Sequence, residues 1–265
     1  MRTLYKRLIV SAFLVSITYA TIFFAPTQFF FLVVEIFILL ALNEYFEIAE
    51  KKGIVINRVV GLLFGALLPF SIFYQMESLV LVLATLSIFI SNFHPKFRQQ
   101  ALLSTAVTFF GIIYIAWFFS FLIKIRHLEH GSAWVFFTIL AVKGGDAGAY
   151  FVGRKLGKTK LIEHISPNKS VEGAIGCFLT TILLCALSKV YLPHVAIGHL
   201  IIMGIVIGIL SQFGDLAESL IKRDAGVKDS GMIPGLGGIF DVLDSLLLCI
   251  PFVYYYITAY PSLGQ

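Results

Sequence analysis

Charge is what this chain has least of. Only 13% of its 265 residues are Asp, Glu, Lys or Arg, against roughly 25% in soluble domains. So few charges cannot clothe a water-soluble globule. Cysteine is scarce too: Cys177, Cys185 and Cys249 all fall inside apolar runs. No pair has metal-ligand spacing, which argues against a disulfide framework or a zinc module and leaves them as small apolar packing or lipid-facing residues. No Pro/Ser-rich linker, low-complexity tract or clear internal repeat divides the chain. Alternating ten-residue segments are also missing, which argues against a membrane β-barrel. Histidine carries little: His127 and His130 sit three apart in a loop read as solvated, and the other four are scattered at span ends and in one basic loop.

What the chain does have is apolar length. It is 58% hydrophobic, with a mean hydropathy of +0.92. Runs near the ~20 residues needed to cross a bilayer as helix fall at about 8–24, 29–48, 59–75, 78–93, 101–123, 133–152, 172–191, 197–220 and 240–259. The expected fold is an all-α polytopic membrane protein of about nine transmembrane helices. The run after "MRTLYKR" is read as a span, because no small-residue cleavage site follows it. With the N-terminus in the cytoplasm, 16 of the 20 Lys and Arg fall in inside loops, as the positive-inside rule requires. The sequence pI near 9.0 then reflects loops facing an anionic leaflet rather than nucleic acid. Polar groups are sparse in the spans before residue 125; Glu35, Asn43 and Glu44 are exceptions, the last two expected at the cytoplasmic interface. Residues 1–125 are therefore read as scaffold helices and 126–265 as the catalytic region of one integral membrane unit.

The densest polar stretch is "KRDAGVKDSGMIPGLGGIFDVLDS", Lys222 to Ser245, set between two apolar runs. Just before it, Asp215, Ser219 and Lys222 are spaced four and three apart, which puts them on one helical stripe, with Arg223 beside it. Asp241 and Asp244, three apart, open the next helix. A plain helix cap accounts for Asp241 alone but not for two acids on one face opposite an acid-bearing helix. Carboxylates crowded at a low-dielectric interface call for a cation, and oxygen-only ligands favour Mg²⁺. Asp215, Ser219, Asp241 and Asp244 are the expected metal ligands. Lys222, Arg223 and Lys228 suit phosphate oxygens, and the glycines of "PGLGG", Gly237 and Gly238 among them, are expected to bring backbone N–H groups to an anion at a helix N-terminus. A second segment, Lys143 to Gly173, adds Asp146 and a basic, glycine-rich loop with Arg154, Lys158 and Lys169; in it "SPNKS" reads as a helix start capped by Ser170. Acids, cations and glycine backbone together suggest metal-assisted phosphoryl or nucleotidyl transfer.

These residues resemble a family. "SLIKRDAGVKDSG…PGLGGIFDVLD" is similar to the C-terminal signature of the phosphatidate cytidylyltransferases: Ser-x-x-Lys-Arg, four residues, Lys-Asp, then Pro-Gly-His-Gly-Gly and Asp-Arg-x-Asp. "DAGAYFVGRKLGK…SPNKSVEG" resembles the family's other block. Two positions depart: Leu236 stands where the family has histidine and Val242 where it has arginine. The resemblance implies cytidylyl transfer from CTP to phosphatidate at the cytoplasmic side of a cell inner membrane. It implies Asp215, Lys222, Asp241 and Asp244 as catalytic, and Asp146, Arg154, Lys169, Arg223, Lys228, Asp229, Gly237 and Gly238 as substrate-binding. A second cation beside Mg²⁺ and a homodimer are compatible with it. Rival readings are a CTP-dependent polyprenol kinase or archaeal-type lipid cytidylyltransferase, an ion-coupled transporter, and an inactive homologue.

Overall fold

The structure, a computed structural model, describes residues 16–231, 237–260 and 263. Residues 16–23 are helical. The helices that follow are α1 (Thr27–Lys51), α2 (Arg58–Tyr74, its last turn 3₁₀), α3 (Glu77–Asn92), α4 (Ala101–Arg126), α5 (Gly131–Leu156), α6 (Val171–Val190), α7 (Ile197–Asp224) and α8 (Ile239–Ala259). All but α2 and α3 are long and apolar enough to cross a membrane, which makes six among the described residues. α2 and α3 are apolar but shorter; at 1.5 Å per residue, the 16 residues of α3 reach about 24 Å of a ~30 Å hydrocarbon core. Most of the expected first span, with Arg2, Lys6 and Arg7, lies outside the described residues.

Helix α1 shows why lipid is its solvent. Phe31, Val34, Ile38, Ala41, Leu42 and Tyr45 form a buried stripe at helical spacing. Phe29, Leu32, Ile36 and Leu40 on the other side are also apolar, yet 46–55% exposed. A helix bounded by water carries polar groups there. The helix stops where the chain requires it: Gly53 takes φ +85°, its N–H donates to Glu50 O, and Ile54 N–H donates to Ala49 O, the paired bonds of a glycine-terminated helix end. Asn57 then caps α2 through Val60 N–H.

The chain forms two compact units. The first holds the described residues up to Lys124 together with those of Ile221–Leu243; the second holds Ile125–Leu220 and the described residues from Asp244 onward. The described residues divide after Lys124, and Ile221–Leu243 group with the N-terminal helices. The dividing points lie inside α7 and α8.

In the first unit, Phe64, Leu68, Ala84, Ile88 and Ile112 form a core cluster from α2, α3 and α4. In the second, α5 and α6 pack closely because small residues line their contact. A Cβ on Gly148 would run into the Thr180 side chain, and one on Gly176 into Val152. Between these helices the chain makes a small antiparallel hairpin, β1 (Lys160–Ile162) and β2 (Ser166–Ser170), with Lys160 opposite Ser170. "SPNKS" is thus strand up to Ser170, and only Ser170 itself starts the helix, its Oγ accepting from Gly173 N–H at 3.1 Å. Within α8 the α-helical pattern breaks at Leu248; Pro251, with no N–H and a ring that crowds the carbonyl four residues back, accounts for it. The three cysteines are free and buried, so of the two expected roles they pack.

Gly148→Val should cost about 1–3 kcal/mol, the usual penalty for overpacking. The measurement is the thermal unfolding midpoint of purified protein in detergent. A drop of several degrees is expected, and an unchanged midpoint would show that the α5–α6 contact does not need glycine there.

Candidate functional site

In the first unit the polar segment is tied down by two carboxylates. Gly226, at φ +70°, ends α7, and the chain turns back towards the start of α8. Asp241 sits in the first turn of α8. Its Oδ2 accepts from Gly238 N–H at 2.7 Å and Ser230 N–H at 2.9 Å, and its Oδ1 accepts from Lys222 Nζ. The Lys222 and Asp241 side chains are only 11% and 13% exposed, so each needs the other. Glu44 comes from α1: its Oε1 accepts from Ile239 N–H at 3.0 Å and its Oε2 from Phe240 N–H at 2.9 Å. The Ser230 hydroxyl lies 2.8 Å from Glu44 Oε2 and 2.9 Å from Asp241 Oδ2, with one proton to give, and accepts from Asp241 N–H at 3.3 Å.

A helix begins with four N–H groups that have no partner within it. Here Gly238, Ile239, Phe240 and Asp241 N–H are all taken by Glu44, Asp241 and Ser230. Two negative charges at the positive end of the helix suit its dipole. In this structure Gly238 N–H, which the sequence offers to a substrate anion, donates to Asp241. Asp241 caps the helix, its oxygens meeting Lys222 Nζ, two backbone N–H groups and the Ser230 hydroxyl. Gly237 is needed for conformation, at φ +88°, where a Cβ would also strike Asp241. Arg223, Lys228 and Asp229 are exposed, and Arg223 Nη1 donates to Val227 O at 3.3 Å. Leu236 lies outside the described residues.

The second unit gathers the other acids. Asp215 on α7 pairs with Lys169 of β2 at 2.7 Å. On α5, Lys143 Nζ lies 3.1 Å from Asp146 Oδ2, 2.8 Å from Ser245 Oγ of α8 and 4.0 Å from Asp244 Oδ1. Ser245 Oγ is also 2.9 Å from Asp146 Oδ2. Asp146, Arg154, Asn168, Lys169, Gln212 and Asp215 line one cavity of about 430 Å³, within the usual range for small-ligand sites. Its walls are α5, the hairpin, α6 and α7. The hairpin is fixed by Glu172, whose carboxylate accepts from Lys158 and Thr159 N–H at 3.1 and 3.2 Å. Ser219, one turn beyond Asp215, is half-buried.

The expected metal set is therefore shared between the units: Asp241 belongs to the first, and Asp215, Ser219 and Asp244 to the second. No group of three or more His, Cys, Asp or Glu side chains placed to hold a metal ion occurs among the described residues. Sequence reasoning missed Glu44, Ser230, Lys143, Ser245 and Gln212. Lys143 could have been found: a lysine inside an apolar span and three residues from an acid calls for a partner and a role. Glu44 gave a weaker signal, since an acid near the end of a span reads equally well as an interface residue.

Comparison with known proteins adds the chemistry. Residues 5–260 match the model of the cytidylyltransferase family. A phosphatidate cytidylyltransferase of Bacillus subtilis is 33% identical over 233 residues, 81% of this chain and 83% of that protein. One from Synechocystis is 33% identical over 257 residues, 84% and 86% of the two chains. One from Haemophilus influenzae is 39% identical over 133 residues, 48% of this chain and 46% of the other.

Glu44→Ala should free the start of α8. It strips partners from Ile239 and Phe240 N–H, at about 1–3 kcal/mol for each buried group left unsatisfied. Limited proteolysis between residues 224 and 239 should accelerate roughly tenfold or more. An unchanged cleavage rate would mean that Glu44 does not hold this segment.

Proposed function

The chain belongs to the cytidylyltransferase family, and from that premise we propose that its reaction is run by the acids and cations of α5, β2, α7 and α8 in the second unit. The protein transfers a cytidylyl group from CTP to phosphatidate, giving CDP-diacylglycerol and pyrophosphate, as do the relatives that it matches over most of its length. A kinase or a transporter is not favoured. A phosphate oxygen of phosphatidate forms the new bond to the α-phosphorus of CTP, and the bond from that phosphorus to the oxygen bridging to the β-phosphorus breaks, releasing pyrophosphate. The nucleophile is already an anion. No strong base is required, which fits a chain with Leu236 in place of the family's histidine.

Catalysis then rests on alignment and on charge neutralisation. The observation that carries the assignment is the cavity lined by Asp146, Arg154, Lys169 and Asp215, with Lys143 linking Asp146 to Ser245 and Asp244. Lys169 and Arg154 hold phosphate oxygens by charge-assisted hydrogen bonds. Asp215, paired with Lys169 in this structure, would be one of the residues to hold a metal ion. Mg²⁺ fits these donors: it prefers oxygen, and is usually held by one or two carboxylates with water and substrate phosphates completing its shell. Asp215 and Asp244 would supply the carboxylates, and the ion would polarise the phosphates and neutralise the leaving pyrophosphate. Lys222, Arg223, Lys228 and Asp229, which the family resemblance assigns to catalysis or substrate binding, lie in the first unit beside the segment that Glu44 and Asp241 hold. Val242, in the first turn of α8, contributes no charge where the family has arginine.

The finer topology is part of the same proposal. Nine spans with the N-terminus inside put the loops that hold Lys169 and Lys222 in the cytoplasm, where CTP is. Phosphatidate arrives from the bilayer, so a site at the helix ends serves both substrates. A homodimer is compatible with this chemistry and is not required by it.

The test is a membrane assay with CTP labelled at the α-phosphate, Mg²⁺, and either phosphatidate or polyprenol. Label should enter CDP-diacylglycerol only with phosphatidate. Asp215→Asn and Asp244→Asn should each lower turnover by roughly 100-fold or more, the scale of losing one transition-state contact, while the protein stays in the membrane. Near-normal turnover in both would misplace the site.

A further inference from the structure

Lys143 takes no step in the reaction as described. Lys143 lies in the middle of α5, within a span. A charge at that depth is expensive and defaults to a paired, functional role. Its surroundings are all hard oxygen: Asp146 Oδ2 at 3.1 Å, Ser245 Oγ at 2.8 Å and Asp244 Oδ1 at 4.0 Å. Two carboxylates and a hydroxyl are the donor set that a hard metal ion seeks. The distances to Asp146 and Ser245 suit an ammonium donating hydrogen bonds; a metal ion would need them near 2.1 Å. Asp146 is held from two sides, by Lys143 and by the Ser245 hydroxyl at 2.9 Å, and faces the cavity that also contains Asp215. The lysine thus balances two acids at the cavity wall before any ligand enters.

We propose that Lys143 is a built-in cation: its ammonium fills the place between Asp146 and Asp244 that a second metal ion would otherwise take, so that the site binds one divalent ion rather than two. Lys143 is a positioning residue. It acts through Asp146 and Asp244, fixing their carboxylates and leaving Asp244 with enough charge to share one ion with Asp215. This rests on the reading of those acids as the reaction site, but its test needs neither CTP nor phosphatidate. A failure here is therefore distinguishable from a failure of the transfer assay.

The experiment is Mn²⁺ binding to purified, nucleotide-free protein in detergent, followed by electron paramagnetic resonance, for the natural chain, Lys143→Met and Lys143→Gln. The natural chain should bind one Mn²⁺. Both variants should bind a second ion or hold the first at least about tenfold tighter, the size of effect a neighbouring charge has on a carboxylate's proton affinity. If a variant is too unstable without metal to titrate, Mn²⁺ should restore its unfolding midpoint to that of the natural chain. Unchanged stoichiometry and affinity in both variants would overturn the proposal, as would a destabilisation that Mn²⁺ does not repair. Either result would leave Lys143 as an ordinary ion-pair partner.

Discussion

The structure depends on one constraint: a charge brought to the edge of a hydrocarbon layer must find its partner within the protein. Water is scarce there, and an unpaired buried charge or N–H costs more than a well-made hydrogen bond returns. The chain meets this with few charges and gives most of them specific neighbours. Asp241 takes Lys222, Asp215 takes Lys169, and Asp146 takes Lys143. Glu44 satisfies backbone rather than a cation. Because the Asp241, Asp215 and Glu44 bonds join segments distant in sequence, they also help to set the shape of the polar region.

The acids divide into two kinds by what they touch. Glu44 and Asp241 accept mainly from backbone N–H groups and the Ser230 hydroxyl. Their oxygens are engaged in holding the start of α8. Asp146 and Asp215 instead meet lysine ammonium groups, which can be exchanged for another cation without unfolding backbone; Asp244 accepts from Ser245 N–H and has Lys143 4.0 Å away. The first kind holds the segment that follows Lys222 and Arg223 at the end of α7. The second kind is the set to which the proposed function assigns the reaction.

Much of this was legible in the sequence. The apolar runs placed the helices to within a few residues, because span length is dictated by bilayer thickness. The spacing of Asp215, Ser219 and Lys222 correctly put them on one continuous helix, since 3.6-residue periodicity is local. Ser170 announced its cap for the same reason. What was not legible was long-range pairing. Nothing near Glu44 in sequence says that it accepts from Ile239 and Phe240. The hairpin at Lys160–Ser170 escaped because a five-residue polar strand has no apolar alternation to betray it. Lys143 was visible as a charge in a span, but its partners Ser245 and Asp244 are a hundred residues away.

The central claim is the division between anchoring and reacting acids, and nucleotide-dependent metal binding tests it most directly. Mn²⁺ affinity should be measured with a non-transferable CTP analogue present, for the natural chain, Asp241→Asn and Asp215→Asn, counted per folded molecule. The account predicts that Asp215→Asn loses the binding that the nucleotide induces, while Asp241→Asn retains it. Equal loss in both variants, or retention in Asp215→Asn with loss in Asp241→Asn, would contradict it.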